Sequence, residues 1–416
     1  MKHDKLRLPT PFLSPGQVAQ GALTVGLGYD HANRRTSLSY PNGTNTSYTY
    51  DVASRLTNIN HLGPGGIIEA LTYQYDAAGN RTSLIRNNAA ASLLPAAVAS
   101  ASYDAANAQT AFAGATLTYD ANGNLTNDGV NSYQWDARNR LIGMSGGITA
   151  SFNYDVLGRR TQKTLSTPSS ALSTGFLYDG NDIAAEIGGG AVGANYVRSL
   201  NIDEPFIRQS GSGNEFYHAD ALGSSLALST GQGAPATTYG YEPFGKTTVT
   251  GTSTNPFQYT GRENDGTGPY YYRARYYYPI LHRFLGEDPL KLDGGENSYA
   301  YVSNKPLNRK DPSGLVEVAD PRIKAGGEII AAIVEMLIVE PLIVRDRAAL
   351  CASRFCKVKK PDVPFLMAYT TCGSIFVAYP APYGNIQESD AYVYACGKEC
   401  ARITKTPEYR KTCKCQ

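Results

Sequence analysis

Two Asp-Pro pairs, Asp288-Pro289 and Asp311-Pro312, stand 23 residues apart in this chain. Two carboxyls can hydrolyse a peptide bond without a metal or a covalent nucleophile. One, ionised, activates water; the other, protonated, gives a proton to the carbonyl oxygen or the leaving nitrogen. Carboxyls held close together push their pKa values apart, which makes that division of labour available near neutral pH. A nearby arginine would keep one of them ionised or bind the developing oxyanion. Asp-Pro is also an ordinary turn starter, so the two pairs alone leave both readings open.

A second chemistry sits at the other end of the residue scale. All seven cysteines, Cys351, Cys356, Cys372, Cys396, Cys400, Cys413 and Cys415, fall in the last 66 residues, whereas the five histidines all precede residue 283. So abrupt a change marks two modules. A tail without histidine argues against His-metal nucleases, His-dependent ribonucleases and Cys-His proteases. It lacks H-x-E with PCxxC, the signature of a zinc deaminase, and has no Walker or GxGxxG loop. Its cysteine spacings are C-x4-C, C-x3-C and C-x-C, without paired CxxC knuckles. They predict three disulfides and one odd thiol, with a zinc site or reduced buried cysteines as the alternatives. No metal and no cofactor is expected.

Charge separates the modules too. The whole chain carries +2, but Arg345 to Gln416 holds twelve Lys/Arg against six Asp/Glu. That suits an RNA, DNA or anionic-membrane target, and equally a plain solvated basic surface. Ser389 is placed to cap a helix over Tyr392 to Ile403, with Cys396 and Cys400 on one face. The longest apolar run, Ile329 to Val344, is broken by Glu335, Glu340 and Pro341. It reads as a partly buried helix and not a transmembrane span, with a membrane-inserting or translocation segment as the alternative. The first residues show no signal-peptide run, and repeats begin almost at once, as expected of the distal part of a longer protein.

The elements that must position the aspartates are strands. Thirty tyrosines and 42 glycines against 18% charged residues favour β-sheet with tight turns. A Tyr-Asp unit recurs: YDHANRRT from Tyr29, YDVASRLT from Tyr50, YDAAGNRT from Tyr75, YDANGNLT from Tyr119, WDARNRLI from Trp135 and YDVLGRRT from Tyr154. Degenerate copies start at Tyr103 and Tyr178. Residues before each Asp alternate with the period of a strand. Asp and Gly/Asn supply the turn, and Arg/Leu-Thr begins the return strand. Each unit is a hairpin too small to stand alone, so neighbours must pair edge to edge into one curved sheet. The repeated Asp residues read as turn formers and the Tyr residues as cross-strand packing, with carbohydrate binding along exposed Tyr faces as an alternative.

These units, over residues 28 to 180, resemble the YD repeats of Rhs proteins and of the C components of insecticidal toxin complexes. From Phe216 the likeness sharpens. FYHADALGSSLALST, YGYEPFGK, FQYTGRENDGTGPYYYRARYYYPILHRFLGEDPL and GGENSYAYVSNKPLNRKDPSGL resemble successive parts of the Rhs-associated core. The resemblance implies a mainly β fold, a curved or spiralling shell enclosing a C-terminal toxin. It implies an N-terminal remnant at 1–27, YD repeats at 28–180, a core at 181–315 and a variable cargo at 316–416. The cargo is expected to be a small α+β or Cys-rich domain. The resemblance further implies aspartic autoproteolysis after the Leu of DPxGL, here the Leu315–Val316 bond. Asp288 and Asp311 match the two core aspartates, and Arg275, in RARYYYP, matches the core arginine. His282 stands where Gly is usual and Tyr278 where Asp or Ala is usual, departures that touch local turn geometry. His218 and His282 are read as structural. The function implied is delivery of a polymorphic toxin, secreted or at the bacterial cell surface, with an immunity protein and a secretion machine as partners. The alternative is a non-toxic adhesive repeat protein whose tail is a disulfide-bonded cap.

Overall fold

In the computed structural model, residues 17–20, 23–88 and 93–319 are described. The seven cysteines, the apolar run from Ile329 and the helix predicted over Tyr392 to Ile403 lie outside them.

The repeat unit folds as its residues dictate. In the strand Asn45–Tyr50, exposed and buried side chains alternate, with Thr46 and Tyr48 inward. Asp51 then closes the turn: its Oδ1 accepts from the amides of Ala53 and Arg55, both at 2.9 Å. Between them Ser54 takes a φ of +61°, a left-handed conformation easiest for Gly or Asn. The other units put Asn33, Gly79, Gly123, Asn139 and Gly158 at that place. The second carboxylate oxygen of Asp51 accepts from Nε of Arg55 at 2.7 Å. Asp30, Asp136 and Asp155 repeat this with Arg34, Arg140 and Arg159. Each Asp is therefore a turn former.

Neighbouring units are stapled through the same residues. Arg55 lies over the ring of Tyr75 in the next unit, 5.1 Å from its centroid, and donates to Asp76 O at 2.8 Å. In return, the Tyr75 hydroxyl donates to Leu56 O at 2.6 Å. Tyr50, Tyr154 and Tyr178 donate in the same way to Arg35, Leu141 and Arg160 carbonyls. Where tryptophan replaces tyrosine, the Trp135 indole N–H does the same to Leu125 O at 2.7 Å. The motif tyrosines thus do more than pack across strands.

Strands follow one another in strict sequence order, all antiparallel, in one seven-stranded sheet and one fourteen-stranded sheet from Thr118 to Thr250. Each unit carries a register shift just before its Tyr, as at Thr49/Tyr50, Gln74/Tyr75 and Asn153/Tyr154. The same shift occurs at His218/Ala219. There Asp220 accepts from the Leu222 and Ser224 amides, and Tyr241 donates to Ser225 O at 2.6 Å. This is a further repeat unit, concealed in the sequence because Ala219 holds the tyrosine position.

Two buried clusters place the last part of the ladder. Val25, Leu38, Ile59 and Leu71 of the smaller sheet pack on Phe206, Ile207 and Phe216 of the larger. Leu125, Leu141, Met144 and Phe152 pack on Tyr271, Tyr276 and Leu285. Fully buried Arg160 crosses the latter contact and pairs with Glu263 at 2.6 Å and with Asp265. The Tyr270–Tyr272 hairpin is thereby fixed to the ladder. The expectation of a mainly β, hairpin-built antiparallel sheet holds. Among the described residues the sheets remain open, and no helix is long and apolar enough to cross a membrane.

Removing one staple should cost what a buried hydrogen bond contributes. Tyr75→Phe is expected to lower stability by about 1–2 kcal/mol, read as a lower urea midpoint at unchanged slope. An unmoved midpoint would reduce the tyrosine to ring packing alone.

Candidate active site

A tight hairpin carries the arginines. Strand Tyr270–Tyr272 turns through Arg273 and Ala274 into strand Arg275–Tyr278, with Tyr272 opposite Arg275. Tyr270, Tyr272 and Tyr277 are buried among Tyr259, Phe284 and Tyr301, so the hairpin is clamped in a wall of rings. Its turn grips the DPSGL segment at three successive carbonyls. The Arg273 guanidinium donates to Pro312 O, the Ala274 amide to Ser313 O at 3.1 Å, and Arg275 Nε to Gly314 O. Gly314 has a φ of +71°, and a Cβ there would lie 2.2 Å from Tyr272 O. Only glycine lets the segment sit this close.

Asp311 closes the segment into a turn. Its Oδ1 accepts from the amides of Gly314 at 2.8 Å, Leu315 at 3.1 Å and Val316 at 3.2 Å, and from Ser313 Oγ at 3.2 Å. Leu315 is buried. Beyond it, Lys310 pairs with Val318 and Arg309 with Ala319, and Arg309 forms an ion pair with Glu317. The Leu315–Val316 peptide is thus held on both sides.

Arg275 joins the two aspartates. Its Nη2 lies 2.8 Å from Asp288 Oδ2 and 3.5 Å from Asp311 Oδ2. Nη1 donates to Ser298 O at 2.9 Å, and the guanidinium carbon lies over Phe284, 3.7 Å from the ring centroid. Asp288 is oriented by its own backbone N–H to Ser298 O and by the Leu290 amide on its Oδ1 at 2.8 Å. All three charged groups are buried: Arg275 is 6% exposed, Asp288 and Asp311 3% each. Two carboxylates face one guanidinium in a low-dielectric site. Burial raises the pKa of both above the ordinary aspartate value, and Arg275 only partly offsets this. For Asp288, the neighbouring Asp311 charge adds to the rise. Burial likewise pushes the Arg275 guanidinium down. The arrangement favours retaining one proton on the pair, which equips it for acid and base work at once.

A cavity of about 360 Å³ opens beside these groups, lined by Arg275, Asp288, Asp311 and Leu315 with Gly294 and Asn297. It is polar and roomy enough for water. At Gly294 a Cβ would meet Asp288 Oδ2 at 2.6 Å, so glycine keeps the carboxylate's approach clear.

Every residue singled out around the cleavage motif, Arg275, Asp288, Asp311, Leu315 and Val316, converges here. Sequence reasoning missed Arg273, Ser313, Phe284 and Gly294. The doubled arginine of RAR was a readable signal for Arg273; the Ser298 carbonyl left none. His282 takes a φ of +57° and stacks on Phe244 at 4.2 Å, which explains why glycine suits its place. Buried His218 contacts Ser229 Oγ at 2.9 Å. Neither histidine touches the aspartates.

The model of the Teneurin YD-shell family matches residues 20–288, taking in the ladder, the arginine hairpin and Asp288. The chain belongs to the teneurin YD-shell family. It is an Rhs/YD-repeat protein, as the repeats and core motif implied. This YD-shell chain is 30% identical over 278 residues to the tRNA nuclease WapA of Bacillus subtilis (strain 168), matching 60% of this chain and 11% of that protein. It is 29% identical to the toxin subunit YenC2 of Yersinia entomophaga, over 66% of this chain and 29% of the relative. It is 26% identical to the toxin protein Tse5 of Pseudomonas aeruginosa, over 70% of this chain and 27% of Tse5. The chain therefore spans under a third of the length of each of these relatives. Among solved structures, the TcdB2-TccC3 crystal structure has the same fold, with a TM-score of 0.53 at 19% identity, covering 70% of this chain and 20% of that one.

The close fit at Gly314 makes a direct prediction. In an Asp288→Asn background, Gly314→Ala should add about 1–2 kcal/mol of left-handed strain besides the clash. Amide exchange at Leu315 and Val316 should accelerate by about tenfold or more, measured by hydrogen–deuterium exchange. Unchanged protection would mean that the turn accommodates a side chain.

Proposed function

We propose that this YD-shell chain is the carrier end of a polymorphic toxin and that it cuts its own Leu315–Val316 bond. The observation that carries the reading is the position of Asp311 Oδ1, 3.2 Å from the Val316 nitrogen, with Arg275 bridging to Asp288. One carboxylate of the pair is held ionised by Arg275. It takes a proton from a water in the cavity, and the water oxygen bonds to the Leu315 carbonyl carbon. The other carboxyl, protonated, gives its proton to the Val316 nitrogen, whose lone pair becomes free as that carbon turns tetrahedral. The C–N bond then breaks. The products are a Leu315 carboxylate and a Val316 amine, so one water is consumed and no cofactor is needed. The grip of the hairpin on Pro312, Ser313 and Gly314 supplies the orientation.

Relatives support the delivery part of the reading. WapA is named a tRNA nuclease and Tse5 a toxin, and a double-stranded DNA deaminase toxin of Burkholderia cenocepacia is 27% identical over 71% of this chain. Different activities attached to one carrier fit a tail exchanged between shells. The histidine-free tail at 316–416 lacks the deaminase signature, so that activity does not transfer. In this reading the tail is the effector, met by an immunity protein in the producing cell, loaded by a secretion machine, and directed at nucleic acid or an anionic membrane. The chain acts outside the cell that makes it.

Purified protein should appear as two pieces, 1–315 and 316–416, by intact-mass spectrometry. Asp288→Asn or Asp311→Asn should leave it whole, and Arg275→Ala should slow the cut. Cleavage during refolding should follow a bell in pH. Both midpoints belong to the pair, and because burial raises both carboxyls the bell should sit above the usual aspartate value of about 3.9. The rate falls at lower pH as both protonate and at higher pH as both ionise. Normal cutting in both Asn variants would refute the aspartyl mechanism.

Delivery is tested separately. Expression of residues 316–416 should arrest growth in the cytoplasm or the periplasm. Harmless expression in both would favour the adhesive reading.

A further inference from the structure

One residue of the grip on DPSGL, Arg273, is not among the three at the chemistry and is the one that ties the grip to the repeat ladder. Arg273 takes a φ of +59° at the hairpin turn, a conformation that bulky residues rarely adopt. Its side chain reaches in two directions. One arm donates to Pro312 O. The other grasps the ladder: Nη2 lies 2.7 Å from Asp203 Oδ1 and 2.9 Å from Asp182 Oδ1, and Nε donates to Asn181 O at 3.2 Å. Asp203 is itself buried and bound by Arg262 at 2.5 Å. Asn181 and Asp182 belong to the turn of the repeat unit that starts at Tyr178, and Asp182 opens the strand Asp182–Gly188. Asp288 and Asp311 pair instead with Arg275.

We propose that Arg273 is a positioning residue that sets which bond is cut and makes cutting conditional on the folded repeat ladder. The inference rests on the self-cleavage reading above. The reasoning is geometric. Arg273, Ala274 and Arg275 take consecutive carbonyls, so the next carbonyl in line, that of Leu315, is the one presented to the aspartates. Shifting the segment by one residue would present another bond, and Arg273 is the end of the clamp that opposes such a shift. Because its other arm is fixed to the turn at Asn181–Asp182 and to Asp203, the clamp is complete only when that repeat unit is in place. A chain whose ladder is unfinished has both aspartates and Arg275, yet lacks the anchored clamp.

The test uses the full chain, refolded from denaturant, with intact-mass spectrometry over time and circular dichroism to measure the folded fraction. Arg273→Ala should cut about tenfold or more slowly per folded molecule, with some product from bonds next to Leu315–Val316. Arg273→Lys, which keeps a donor, should recover some of the rate and the single product. The pH profile should keep its midpoints, because the aspartates and Arg275 remain. If Arg273→Ala does not fold, Asp182→Asn, which loosens the outer anchor at a half-buried position, should slow cutting instead. Cutting by either folded variant at the wild-type rate and only at Leu315–Val316 would overturn the proposal. So would slowing that merely tracks the unfolded fraction, or moved pH midpoints. A wild-type chain that stays whole would instead sink the self-cleavage reading.

Discussion

A hairpin of this size cannot hold itself together, and everything else in the structure follows from how it is tied to the next one. The tie is a guanidinium that reaches past its own unit to a main-chain carbonyl. Arg55 reaches Asp76 O, Arg140 reaches Asp155 O and Arg159 reaches Gly180 O. A carbonyl has spare lone pairs even when it serves a strand ladder, so the device costs the sheet nothing. At the end of the ladder the same device changes purpose. Arg273 and Arg275 reach the carbonyls of Pro312 and Gly314, and the segment they hold contains a peptide bond presented to acids.

The electrostatics differ between the two uses. In the repeats each Asp–Arg pair is partly exposed, its charges balanced and its contribution small. At the site one arginine serves two buried aspartates, with an aromatic face against the cation. An imbalance that would be a defect in a purely structural ion pair here favours the protonated form of a carboxyl. Tyr272, Tyr277 and Tyr301 pack with Phe284, the ring beneath the guanidinium.

Much of this was legible in the residues. Strand alternation, the Asp turns and the convergence of Asp288, Asp311 and Arg275 could be read, because each depends on local pattern or on a motif with fixed spacing. The concealed unit at Asp220 could not, because Ala219 stands where the tyrosine would be and the register shift has no letter of its own. Arg273 was overlooked for a related reason: its partners, Asp182 and Asp203, are 91 and 70 residues away, and only the stacking of strands brings them near. The cysteine chemistry of the tail lies outside the described residues and stays where the sequence left it.

The pairing across Arg309–Lys310 and Val318–Ala319 has a mechanical meaning. A break between Leu315 and Val316 would remove one covalent link and leave those two rungs and the Arg309–Glu317 contact intact. The joint would then behave like a perforation in paper. It would bear ordinary handling, yet a steady pull along the chain would meet only weak bonds that give way in succession under modest force.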